Sequence, residues 1–236
     1  MKFVLAILAA GIGITACEPA NNAQQEESTS AAAAADQTSE SLAGKEEKPG
    51  ILDLGAMLPA GDVSMTNVDG TEHTLQSLAG ENGLLVIFSC NTCPFVVGND
   101  KKSEGWEGRY ASIYDHASAN GIGMALINPN EAKRDAGDGL DDMKMRHTEK
   151  GLKAPYLLDA NHVVADAFGA LTTPHIFLFD ADMKLIYKGA IDDSVDSAEG
   201  VKEPYLKNAI DAHVAGKPID PNSTRQLGCS IKRVKA

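Results

Sequence analysis

Cys90 and Cys93 stand two residues apart in Ser89-Cys90-Asn91-Thr92-Cys93-Pro94-Phe95, directly after the apolar run Leu84-Leu85-Val86-Ile87-Phe88. A buried strand that delivers a Cys-x-x-Cys pair to the start of a helix sets the thiols near the positive end of a helix dipole. A thiolate is stabilised there, and the pair can close reversibly into a disulfide. The chemistry indicated is thiol redox exchange, which needs no metal and no organic cofactor. A zinc site would call for a second Cys-x-x-Cys or a His pair at finger spacing, and the chain has neither.

The elements that must hold this pair are legible in the apolar pattern. Residues 84–88 read as the first buried strand. Upstream, residues 63–68 and 71–75 flank Asp69-Gly70, a dipeptide suited to the positive φ of a tight hairpin turn. Downstream, Phe95, Trp106, Tyr110, Ile113, Tyr114 and Ala117 fall mostly three and four apart, which predicts a helix ending at Asn120-Gly121 and broken early by Gly98 and Gly105.

Residues 122–127 form a second short apolar strand, and 140–150 a helix with Leu140, Met143 and His147 on one face. An extended piece at 155–159 and a helix at 162–168 follow. After Thr172-Thr173-Pro174 comes the strand 175–179, whose period-two alternation makes His175 a half-buried packing residue, then the partner strand 184–190. Residues 205–214 make the last amphipathic helix, and the tail from 216 is polar except around Leu227-Gly228-Cys229-Ser230-Ile231. The class expected is α/β, with a central mixed β-sheet, helices on both faces and an N-terminal hairpin.

The ends set the context. Lys2 and the apolar stretch 3–14 have the layout of an export signal, too short for a membrane span of about 20 residues. Residues 17–50 hold no aromatic and one large aliphatic residue, Leu42, so they cannot bury enough apolar surface to offset their ordering entropy. They read as a tether, leaving 51–236 as one domain. The net charge of −12 argues against nucleic acid and against docking on anionic lipid by charge. Asp192-Asp193, Asp141-Asp142 and the scattered histidines lack any spacing for metal or acid–base work and read as solvated surface.

Two resemblances sharpen this picture. Ile14-Thr15-Ala16-Cys17 resembles the bacterial lipobox, which implies that 1–16 are removed and Cys17 is lipidated, placing the domain at the bacterial cell envelope, facing the periplasm or the exterior. The strand–Cys-x-x-Cys–helix unit, the Thr-Pro strand and the final helix resemble the thioredoxin fold. More narrowly, Cys-Asn-Thr-Cys-Pro-Phe at 90–95, Thr-Pro-His-Ile-Phe-Leu-Phe-Asp at 173–180, Tyr-Lys-Gly-Ala-Ile-Asp-Asp at 187–193 and Gly-Cys-Ser-Ile-Lys at 228–232 are similar to the peroxiredoxin-like branch of the redoxin group.

The resemblance implies that Pro174 is cis beside the dithiol and that Thr173 offers its backbone to an extended, thiol-bearing substrate chain. It implies a thiol-disulfide oxidoreductase whose partners are a thiol- or disulfide-bearing protein or small thiol and an envelope electron donor or acceptor. The attacking thiol has two readings. Thioredoxin logic makes Cys90 the nucleophile and Cys93 the resolver, and this is favoured; Pro94 fits best at the first helical position, which would make Cys93 the helix cap.

Departures from the family patterns leave rivals open. Ser89 and Asn91-Thr92 stand where thioredoxins carry Trp and Gly-Pro, so a redox potential does not transfer. Cys90 occupies the place, three residues before Cys93, where peroxiredoxins carry Thr. A peroxiredoxin-type peroxidase would use Cys93 as the peroxidatic thiol, with Cys90 or Cys229 resolving its sulfenic acid. Cys229 is either a small buried hydrophobe or an additional resolving thiol. A copper carrier would bind Cu(I) through the two thiols, with His175 as a third ligand.

Overall fold

In the computed structural model of the protein, which describes residues 50–99 and 102–234, the Asp69-Gly70 pair makes its turn. Strand β1 (Met65–Asn67) pairs antiparallel with β2 (Glu72–His73), Met65 opposite His73, and Gly70 takes φ +86°. The signal segment, Cys17 and the tether up to Pro49 lie outside the described residues. Among the described residues no helix is long and apolar enough to cross a membrane.

The apolar run becomes β3 (Gly83–Phe88), buried along its whole length. The helix expected after it is broken where the glycines said it would be. Helix α1 (Pro94–Val97) stops at Gly98, φ +79°, and α2 (Tyr110–Ala119) starts afresh. A Cβ on Gly105 would lie 2.3 Å from the Gly98 nitrogen and 2.4 Å from the Val96 carbonyl oxygen, so the return of the chain past α1 requires glycine.

Strand β4 (Ile122–Asn128) runs parallel to β3, as expected of strands joined through a helical crossover. Helix α3 (Leu140–Glu149) leads to β5 (Tyr156–Leu158), parallel to β4, and α4 (Val163–Ala167) to the two-residue β6 (Thr172–Thr173). Strand β7 (His175–Phe179) pairs antiparallel with β3 and, through a hairpin, with β8 (Leu185–Gly189), and α5 (Tyr205–Val214) follows. The seven-stranded mixed sheet has the order β2-β1-β5-β4-β3-β7-β8.

The alternation of β3 divides the core. Leu85 and Ile87 pack with Val96, Tyr110, Met143, Leu206 and Ile210 from α1, α2, α3 and α5 on one face. Leu84, Val86 and Phe88 face α4 with Phe168, Phe177 and Phe179. There Phe88, Phe168 and Phe177 meet edge to face at centroid distances of 5.1–5.8 Å.

Three expectations are corrected. His175 is only 1% exposed, not half-buried, because helices cover both faces and every residue of β7 is buried. Val214, expected with Leu206 and Ile210 on the apolar stripe of the last helix, is the final residue of α5 and is 44% exposed, while the other two are buried. Asp192 is not solvated surface: it is 5% exposed and accepts hydrogen bonds from Trp106 Nε1 (2.8 Å) and the Arg109 guanidinium (2.7 and 2.8 Å). The polar tail also contributes structure, since β9 (Cys229–Ser230) pairs antiparallel with β6 in a second, two-stranded sheet.

Candidate active site

Strand β3 ends at Phe88, and the turn Ser89–Cys93 that follows is held from several directions. Ser89 Oγ lies 3.0 Å from the buried Tyr110 hydroxyl. The buried carboxylate of Asp138 accepts from the Asn91 N–H (2.6 Å) and the Thr92 hydroxyl (2.7 Å), while Asn128 and Asn130 donate to it from behind. The Tyr156 hydroxyl donates to Asn91 Oδ1 at 3.0 Å. The loop between the cysteines is thus fixed by groups from β4, β5 and the segment before α3.

Pro94 occupies the first position of α1 and Cys93 is its N-cap, with φ −89° and ψ 122°. The proline has no N–H to lose there and its φ already suits a helix. Both sulfurs face the Thr173-Pro174 corner, whose peptide bond is cis. Cys90 Sγ is 3.0 Å from Thr173 Oγ1, and Cys93 Sγ is 3.0 Å from the Thr173 carbonyl oxygen. Cys90 and Cys93 are free thiols, 1% and 3% exposed.

The two thiols differ in acidity because their surroundings differ. Cys90 Sγ and the Thr173 hydroxyl share a hydrogen bond in which either can donate, and a hydrogen bond between the two cysteines favours the ionised form of Cys93. That second bond, opposed by burial and helped by the Cys229 thiol and N–H and the Phe95 N–H, brings Cys93 down to about 5. The protonated form of Cys93 has the Thr173 carbonyl as acceptor, but the ionised form is favoured by this larger set of donors. Cys90 is held well above the ordinary thiol range by its bond to Cys93, by burial and by the nearby charge of Asp138. The directions of the two shifts make Cys93 the more acidic of the pair, in keeping with its place as the N-cap of α1.

Thr173 is fully buried, and the backbone edge expected to meet a substrate chain is already occupied. The chain's own β9 lies there, Cys229 opposite Thr173 and Ser230 opposite Thr172. The Cys229 N–H points at Cys93 Sγ, 3.4 Å away. Cys229 is half-buried, so of the three sulfurs it is the most open to solvent.

His175 does not join the cysteines. It belongs to the opposite face of the sheet, its ring 4.4 Å from that of Phe177, and its Nδ1 faces the Leu171 N–H at 3.4 Å. Burial, followed by the charge of Lys188, pushes its pKa down to about 3, so the ring is neutral. The ligand set Cys90, Cys93 and His175 imagined for copper is not assembled, and among the described residues no group of three His, Cys, Asp or Glu side chains is placed to hold a metal ion.

Sequence reasoning missed Asp138. Its only signal is position, an acid between Gly137 and Gly139, and nothing in that spacing links it to a turn some forty-six residues earlier.

The family model described as Redoxin matches residues 54–202 of the chain. Among solved structures, an uncharacterized conserved protein from Geobacillus kaustophilus is 30% identical with a TM-score of 0.69, over 81% of this chain and 95% of that one. A hypothetical protein from Sinorhizobium meliloti is likewise 30% identical at TM-score 0.69, over 78% of this chain and 97% of that one. No curated protein matches the chain in sequence.

Proposed function

Because the chain belongs to the Redoxin family, we propose that it is a thiol-disulfide oxidoreductase working through the Cys90/Cys93 dithiol. The observation that carries this reading is the meeting of both free thiols at one residue, Cys90 Sγ 3.0 Å from Thr173 Oγ1 and Cys93 Sγ 3.0 Å from the Thr173 carbonyl oxygen. Disulfide exchange also needs a division of roles, an ionised sulfur that attacks and a protonated one held in reserve, and Cys93 is the more acidic of the two.

In the reductive direction the Cys93 thiolate attacks one sulfur of a disulfide delivered to it. A mixed disulfide with Cys93 forms, and the other substrate sulfur leaves as a thiolate. Cys90 then gives up its proton to that thiolate or to water and attacks Cys93 Sγ. The Cys90–Cys93 bond closes, the mixed disulfide breaks and the second substrate thiolate departs. Two electrons pass to the substrate, and a donor dithiol must return them. Every step runs backwards for an oxidant.

Replacing either Cys90 or Cys93 with Ser is expected to abolish reduction of a protein disulfide such as that of insulin. The low pKa of Cys93 favours one other reading, a thiol peroxidase, since a thiolate is also what peroxide oxidises. Rapid consumption of one equivalent of peroxide by the Cys90→Ser protein, with no disulfide exchange by the wild type, would establish the peroxidase instead.

The site of action proposed is the bacterial envelope, through a lipid on Cys17 at the end of the apolar stretch 3–14. Intact-mass analysis of the membrane fraction tests it. A chain beginning at any residue other than Cys17, or carrying no acyl mass, rules it out.

A further inference from the structure

The dithiol is sealed: Cys90 is 1% exposed and Cys93 3%. β9 covers Thr173, the edge along which a folded dithiol protein would otherwise bring its own sulfur in line with either. Opening that cover would be costly, because the tail is pinned on both sides of Cys229. Gly228 lies so close to the Thr173 carbonyl that a Cβ would sit 2.4 Å from its oxygen. Beyond the cysteine, Ile231 is 6% exposed in the aromatic core, and its N–H donates to the Leu171 carbonyl at 3.0 Å. The Lys232 N–H donates to Asn130 Oδ1 (2.9 Å), and the Arg233 guanidinium binds Asp166 Oδ1 (2.6 Å) and the Ala170 carbonyl (2.7 Å).

A tail held in this way sets Cys229 against Cys93, its N–H 3.4 Å from Cys93 Sγ. Cys93 is the middle sulfur of three, with Cys90 inside and Cys229 at the surface. We propose that Cys229 is a third redox-active thiol, a relay through which a dithiol protein exchanges electrons with the buried Cys90/Cys93 pair. The proposal rests on the oxidoreductase reading above and deepens it, naming the sulfur that the electron donor meets.

The relay balances as follows. With Cys90–Cys93 oxidised, the Cys229 thiolate attacks Cys93 Sγ. The Cys93–Cys229 bond forms, the Cys90–Cys93 bond breaks, and Cys90 leaves as a thiolate that takes up the proton Cys229 lost. A thiol of the partner dithiol then attacks the half-buried Cys229 sulfur, expelling Cys93 as a thiolate. The partner's second thiol closes the partner disulfide and releases Cys229. The partner has lost two electrons and two protons, and the Cys90/Cys93 pair is reduced.

The local chemistry gates this sequence. Burial first, then the hydrogen bond to Cys93 and its negative charge, push Cys229 up to about 11 in the reduced protein, while the Lys232 charge opposes them. Closing the Cys90–Cys93 disulfide removes the thiolate of Cys93, and with it the second and third of these causes. Cys229 thus becomes a better nucleophile when its target is oxidised.

Two measurements on the full chain test the relay. In the Cys90→Ser protein, mild oxidation with diamide should yield an intramolecular Cys93–Cys229 disulfide, located by peptide mass mapping. In the Cys229→Ser protein, reduction of the oxidised pair by reduced thioredoxin should slow at least tenfold. Absence of the Cys93–Cys229 bond overturns the relay even if Cys229→Ser is slow, since that slowing is then merely structural. Reduction of Cys229→Ser at the wild-type rate overturns it too, while leaving the oxidoreductase reading intact. Failure of the oxidoreductase reading looks different: the wild-type pair would exchange with neither insulin nor thioredoxin.

Discussion

The carboxylate of Asp138 accepts a 2.6 Å hydrogen bond from the backbone N–H of Asn91, the residue that follows the first cysteine of the pair. An acid before α3 thereby holds the turn that sets the spacing of the two sulfurs. The same carboxylate takes the Thr92 hydroxyl and the Asn128 and Asn130 amides, so four donors depend on one fully buried group.

Asp138→Ala is therefore expected to destabilise the reduced protein by about 3 kcal/mol, because it removes the acceptor shared by four donors, the buried Asn128 and Asn130 amides among them. Urea denaturation measures it. The Cys90 thiol should also become more acidic in the variant, since the charge of Asp138 is one of the causes that raise it.

Alkylation of Cys93 by iodoacetamide should rise with pH through a midpoint near 5 and be flat across neutrality. In the Cys90→Ala variant the midpoint should move upward, because the largest acidifying cause is gone. The sign extends to stability. A thiol whose pKa is depressed on folding contributes stability that is complete above its unfolded pKa near 9 and is lost as pH falls through about 5. The denaturation midpoint of the reduced wild type should therefore rise from pH 5 to pH 8 more steeply than that of Cys93→Ser.

His175 should leave its mark on the acid limb. Its folded pKa of about 3 lies below the ordinary 6.5, so the unfolded chain binds the extra proton between those values and stability falls as pH drops from 6.5 towards 3. His175→Phe should flatten this limb. His175→Ala should leave Cu(I) affinity in a competition titration unchanged, because the imidazole lies across the sheet from the sulfurs.

Phe168 touches Phe88, Phe177 and Phe179 at centroid distances of 5.1–5.7 Å and is fully buried. Phe168→Ala should cost about 3–5 kcal/mol, for lost burial and the cavity left behind. The cluster lies on the face away from the cysteines, so the pH profile of Cys93 alkylation should not move while the protein remains folded.

What the sequence determined by itself is the local frame of the chemistry. An apolar run, Cys-x-x-Cys, Pro94 and Gly98 lie within sixteen residues, and each acts through its own backbone: the run buries, the proline starts the short helix, the glycine ends it. The Asp-Gly hairpin and α5, at Tyr205–Val214, were legible for the same reason. Tertiary structure decided which polar groups meet those sulfurs. Asp138, Thr173 and Cys229 reach the pair from separate stretches of chain, and no periodicity encodes such meetings. The acidity of Cys93 depends on Cys90, Cys229 and the Phe95 N–H, which surround it only once the C-terminal strand has closed over the two cysteines. The burial of His175 and Asp192 follows likewise from what packs above them, since alternation along a strand tells the face of a residue but not whether that face is covered.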